Sequence, residues 1–112
     1  MPNDAAMLLD IATACRRCMS HVSGVDRAAF GRDTLRQDGT VRQLEIIGEA
    51  VKRLSDEFRA RYQEIPWKQI AGMRDRLIHE YDDVDIDEVW RTVTQDVPAL
   101  LKWMEPHLKS GE

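Results

Sequence analysis

Four stretches of this chain place apolar residues at steps of three and four, and that period admits amphipathic helices and little else. The first holds Met7, Leu8, Ile11, Cys15, Cys18, Met19 and Val22 with Arg16, Arg17 and Ser20 between them. It predicts a helix over residues 4–22, started by Asn3 or Asp4 and stopped by Ser23-Gly24. Residues 26–31 read as a short helical turn that tucks Phe30 against the rest. The second stretch, Leu35, Val41, Leu44, Ile47, Val51, Leu54 and Phe58, predicts a helix of roughly five turns at 3.6 residues each, although Asp38-Gly39 inside it is locally a turn signal.

Ile65-Pro66-Trp67 opens a third helix, where proline is tolerated in the first turn. Trp67, Ile70, Met73, Leu77 and Ile78 supply its stripe, and the helix is expected to run on through Tyr81. An acidic turn follows, then a fourth helix with Ile86, Val89, Trp90, Val93, Val97, Leu100 and Met104 inward. Pro98 should kink it, because its ring removes one backbone donor and crowds the preceding turn. Six glycines and four prolines leave little material for the turns of an all-β fold. At 112 residues, with no repeat, linker or low-complexity run, the expectation is one all-α domain over residues 1–112, an antiparallel bundle of four principal helices.

Charge and cysteines narrow the function classes. Sixteen basic against twenty acidic residues, net −4, argue against coating nucleic acid by bulk attraction, so any contact with RNA or DNA is local. The amino terminus has no basic leader and its apolar stretch is broken by Asp10, so the expected location is cytoplasmic. Cys15, Cys18 and His21 form C-x-x-C-x-x-H, but a structural zinc site needs a fourth ligand and a redox pair needs a preceding strand. The two cysteines read as small apolar residues on a buried helix face, and neither metal nor cofactor is called for.

The stretch AGMRDRLIHEY concentrates the chemistry. Arginine offers a fork of donors suited to phosphate, and histidine is the side chain most easily poised as acid or base near neutral pH. On a continuous helix, Arg74 and His79 stand about 140° apart, while Arg74 and Tyr81 fall within about 20° of each other. Asp75 would lie one turn before His79, placed to orient the imidazole. Spacing alone leaves two readings open: ordinary rim and surface residues, or half of a phosphodiester-cleaving site completed when two copies pair about a two-fold axis.

The pattern R-x-x-x-x-H-x-Y of Arg74, His79 and Tyr81, within PWKQIAGMRDRLIHEYDDVDIDEVW, resembles the signature of HEPN ribonuclease toxins of the HepT-like group. The resemblance extends to RQLEIIGEAVKRLS and VWRTVTQDVPALLKWM, and so covers nearly the whole chain. It implies a homodimeric bundle of four to five helices whose paired motifs line a cleft and cut RNA without a metal, with Arg74 and His79 catalytic and Asp75 supporting. It implies a long second helix continuous through Asp38-Gly39. It implies as partner a minimal nucleotidyltransferase antitoxin that attaches AMP to Tyr81. The family often has asparagine after the motif arginine; Asp75 stands there in this chain and brings a carboxylate close to the phosphate. That departure keeps a second reading open, a non-catalytic module of the same fold that binds a nucleotide or the nucleotidyltransferase.

The run EYDDVDIDE alternates like the start of a calcium loop, but Glu88 stands where glycine is needed and Thr94 where glutamate is needed. These acids are better explained as caps and dipole partners of the fourth helix. Arg59, Arg61, Lys68 and Arg76 are positioned to guide RNA, yet scattered charges of this kind are ordinarily solvated surface.

Overall fold

The computed structural model describes residues 3–80 and 83–109, with His79, Glu80 and Lys109 described by their backbone. Helix α1 spans Asp4–Val22, and the Asn3 side chain accepts a hydrogen bond from the amide of Ala6 at its start. Ser23 leaves the helix and Gly24 follows at φ 73°, a left-handed conformation that glycine adopts without strain. Helix α2, Arg27–Gly31, is capped by Asp26 and buries Phe30 against the Trp90 ring at 5.2 Å.

Helix α3 covers Thr34–Lys52 and passes through Asp38-Gly39 without a break. The turn signal loses to packing here. A Cβ on Gly39 would sit 3.2 Å from the His21 imidazole, so the missing side chain gives that ring its place against α3. The helix ends earlier than Phe58, and Leu35, placed at the head of its stripe, is 82% exposed. Ser55 starts a separate helix α4, Asp56–Arg61, with its hydroxyl accepting from the amide of Phe58. The same serine donates its amide and hydroxyl to the Asp4 carboxylate at 2.8 and 2.7 Å, which ties the start of α1 to the start of α4.

Helices α5, Trp67–Ala71, and α6, Met73–Leu77, share the expected apolar stripe but are separated at Gly72. The helix does not continue to Tyr81. Ile78 turns extended, and a short strand β1, Ile78–Glu80, pairs antiparallel with β2, Asp83–Val84, setting Ile78 opposite Val84. The amide of Asp85 closes this corner on the carbonyl of Leu77 at 2.9 Å. Asp85 then caps helix α7, Ile86–Arg91, through the amide of Glu88, and Asp87 pairs with Arg27, so these acids hold the local structure.

A π turn at Thr92–Asp96 joins α7 to α8, Val97–Lys109. The amide of Val97 reaches back five residues to Thr92, and Pro98, which has no amide to give, follows at once. The expected irregularity is therefore a widened turn just before the proline. Thr92 and Thr94 donate their hydroxyls to the carbonyls of Glu88 and Trp90, which helps hold that turn.

The core lies where α1 packs on α3 and α8, and includes Leu8, Ile11, Leu44, Ile47, Val93 and Met104. Cys15 and Cys18 are part of it, with the Cys18 thiol donating to the Thr40 carbonyl at 3.6 Å. At one end, Phe58, Tyr62, Trp67, Trp103 and His107 pack through tilted and edge-to-face ring contacts, and this cluster fastens α4 and α5 to the end of α8. The result is an all-α bundle with one two-stranded corner among the described residues. Among these residues no helix is long and apolar enough to cross a membrane, and no group of three or more His, Cys, Asp or Glu side chains is arranged to hold a metal ion.

Candidate functional site

The site begins on α3. Gly48 lets α5 approach so closely that a Cβ there would lie 3.2 Å from the carbonyl of Ile70 and 3.5 Å from that of Ala71. Glu45, one turn earlier on the same face, thereby comes within reach of α6. Its carboxylate accepts a hydrogen bond from Nε of Arg74 at 2.9 Å. Arg74 is 63% exposed and Glu45 28%, so the pair stands at the surface with its acid half sheltered. The Nη1 and Nη2 groups of Arg74, the outer fork of donors that suits an oxyanion, make no hydrogen bond to the described residues.

The relation of Arg74 to His79 differs from the helical one expected. Helix α6 ends at Leu77, so His79 belongs to strand β1, and neither the 140° separation nor the one-turn relation of Asp75 to His79 applies. Extended residues advance about 3.3 Å each against 1.5 Å in a helix, so His79 is carried farther along the chain from Arg74 than a helix would carry it. Asp75 is exposed, and its carboxylate makes no hydrogen bond or ion pair with the described residues. Tyr81 lies outside the described residues, and so does its expected 20° alignment with Arg74.

A second charged group stands beside this pair. Glu88 bridges Arg76 at 3.8 Å and Arg91 at 2.6 Å, and Arg91 also reaches Asp96 at 3.1 Å. The hydrogen bond from Arg91 holds the Glu88 carboxyl below its ordinary range, and the same bond raises the Arg91 guanidinium. Arg76 and Asp96 rim an apolar groove of about 240 Å³ whose floor includes Ile47, Ile70, Met73, Val97 and Leu100. Of the other basic residues, Arg59 is paired with Asp56, Arg61 lies 6.0 Å from the Tyr62 ring centre, and Lys68 is exposed beside Trp67. Sequence reasoning missed Glu45, which lies 29 positions from Arg74 and meets it through the Gly48 approach.

The model of the family described as "Ribonuclease HepT-like" matches residues 11–106, a span that runs from α1 to α8 and contains both Glu45 and the motif. The chain belongs to the HepT-like ribonuclease family. It is 42% identical over 99 residues to a provisionally named RNase of Caldanaerobacter subterraneus subsp. tengcongensis, covering 88% of each chain. A Thermococcus cleftensis protein named "Probable ribonuclease HepT" is 41% identical over 93 residues, which is 83% of this chain and 84% of that one. A provisionally named RNase of Methanocaldococcus jannaschii is 36% identical over 107 residues, covering 96% and 92% respectively. No solved structure matches the chain. These HepT-like relatives match over most of their own length, so the likeness is one of whole domains.

Proposed function

We propose that this HepT-like chain is a metal-independent endoribonuclease, the toxin of a toxin-antitoxin pair, and that it acts as a homodimer whose two motifs line one cleft. The observation that carries the reading is Arg74 itself: an exposed guanidinium in a ribonuclease-family motif, held by Nε with no outer donor bonded to a described residue. In this reaction His79 takes the proton from a ribose 2′-hydroxyl. The 2′-oxygen then attacks the adjacent phosphorus, and the bond to the 5′-oxygen of the next nucleotide breaks as that oxygen takes up a proton. Arg74 donates to the phosphoryl oxygens as charge gathers on them, and a 2′,3′-cyclic phosphate remains. Asp75 supports the site from the next position.

The test is digestion of RNA by purified protein in excess chelator, with Arg74→Ala and His79→Ala beside the wild type. Loss of cleavage in both variants is expected; equal cleavage by all three overturns the assignment. Sedimentation at micromolar concentration tests the dimer, and a strictly monomeric protein that still cleaves RNA refutes the two-copy site.

Control is assigned to a minimal nucleotidyltransferase antitoxin. The Tyr81 oxygen attacks the α-phosphorus of ATP, pyrophosphate leaves, and the tyrosyl-AMP brings an anion that competes with RNA for the arginine. Co-expression should add AMP mass to the peptide holding Tyr81, and Tyr81→Phe should escape silencing. An adduct elsewhere, or full silencing of the Phe variant without one, assigns neutralisation to occlusion by the partner. The exposed Asp75 carboxylate beside Arg74 favours one alternative, a non-catalytic module that binds a nucleotide or the nucleotidyltransferase. Expression that leaves growth and cellular RNA intact while the protein still binds that partner would select it.

A further inference from the structure

We infer that Glu45 is a positioning residue for cleavage, one that fixes the guanidinium of Arg74 through Nε so that both Nη groups face outward together. The inference rests on the reading of Arg74 as the phosphate-binding arginine. An arginine 63% exposed at the second position of a five-residue helix has four side-chain torsions and little packing to choose among them. Its flexibility is what a phosphate site has to overcome, because each rotamer-rich side chain immobilised on binding weakens that binding. Glu45 does the ordering in advance. Its own side chain is only 28% exposed and comes from the 19-residue helix α3, whose close approach to α5 is set by Gly48.

The geometry of the bond distinguishes this role from simple charge neutralisation. A carboxylate that gripped the guanidinium as a fork would occupy Nη donors and block the arginine. Here one oxygen, Oε2, accepts from Nε at 2.9 Å, and no Nη atom bonds to the described residues. Among the described residues, only the inner edge of the guanidinium is held. Glu45 also places a negative charge near the bound phosphate, which opposes ground-state binding of RNA. Its benefit must therefore appear in the chemical step, with Arg74 aligned to the phosphoryl oxygens as charge builds.

The experiment measures kcat and KM for a fluorophore-and-quencher-labelled single-stranded RNA pool of randomised sequence, in excess chelator, with circular dichroism to confirm folding. Glu45→Ala should lower kcat about tenfold with KM unchanged or lower, since the arginine is freed while a repulsive charge is removed. Glu45→Gln should recover kcat to within about threefold of wild type, because the amide oxygen still accepts from Nε. Unchanged or higher kcat in Glu45→Ala would identify the carboxylate as a competitor and overturn the inference. A Gln variant as impaired as Ala would overturn it too, since charge rather than orientation would then be at work. Arg74→Ala in the same assay separates the two levels: if it cleaves like wild type, the underlying reading of Arg74 fails, whereas an inactive Arg74→Ala beside a fully active Glu45→Ala refutes the positioning role alone.

Discussion

The two cysteines of α1 offer a sharp test of what the bundle does to a reactive group. Cys15 and Cys18 are 0% exposed, and burial pushes both thiols up from 9.0 to about 12, with Arg16 slightly opposing the rise at Cys15 and Cys15 adding to it at Cys18. The thiolate is the attacking species, so at pH 8 each native thiol should present about a thousandfold less of it than an unshifted one. Enclosure in the core slows modification further, since a reagent enters only when the domain opens. Treatment with a thiol-reactive disulfide reagent at pH 8 should therefore proceed at least about a thousandfold more slowly on native protein than in denaturant. The sign of the stability effect follows from the direction of the shift. A folded-state value above the unfolded one gives stability that is complete below the unfolded value near 9.0 and is lost as pH rises toward about 12. At pH 10 the loss is about 1.4 kcal/mol per thiol, or roughly 2 to 3 kcal/mol for the pair. Urea unfolding at pH 8 and pH 10 should show this extra alkaline loss in wild type and not in the Cys15→Ala/Cys18→Ala double variant. Native thiols that reacted within about tenfold of the unfolded rate, or an identical alkaline slope in both proteins, would refute the burial argument.

The remaining tests concern packing. Phe30→Ala empties a fully buried site against Trp90 and should cost about 3 to 5 kcal/mol in urea unfolding; a loss under about 1 kcal/mol would mean that α2 does not belong to the core. Gly39→Ala meets only the far end of the His21 side chain and should gain about 0.5 to 1 kcal/mol from helix propensity, whereas Gly48→Ala meets the Ile70 carbonyl and should show no such gain; equal gains would refute the close approach of α5 to α3. Asp4→Ala removes the acceptor of two Ser55 hydrogen bonds and should lower stability by about 1 to 2 kcal/mol, read from the thermal midpoint, with an unchanged midpoint as the contrary result.

Periodicity carried most of the fold. The spacing of Leu8, Ile11, Cys15 and Cys18 marks the buried face of α1, and Phe30 is buried as the short turn around it suggested. Local signals misled where tertiary packing chose otherwise. Gly39 inside α3 serves the His21 ring, a partner 18 positions away that no window around Asp38-Gly39 contains. Ser55 is a strong local cap for α4, but it is also tied to Asp4, 51 positions earlier. At the candidate site, residue type and motif pointed to Arg74, and the structure places it exposed on α6 beside Glu45. The helix end at Leu77 was not, because it rests on Ile78 pairing with Val84 and on the amide of Asp85 returning to Leu77. Glu45 was invisible for a similar reason: glutamate on a helix is ordinary until a second helix is brought beside it.

The π turn at Thr92–Asp96 changes how the last apolar stripe is used. On one uninterrupted α-helix, Ile86, Val89, Val93, Val97, Leu100 and Met104 would all point the same way. A π turn takes up one extra residue, and one residue corresponds to about 100° of rotation, so the stripe of α8 is out of phase with that of α7. A single periodic sequence thereby addresses different neighbours: α7 meets α2, α3 and α6, while α8 meets α1. Winding 92–96 as regular α-helix with no residue removed would put the two segments back in phase and turn Val97, Leu100 and Met104 away from α1, even though every apolar residue of the stripe remained.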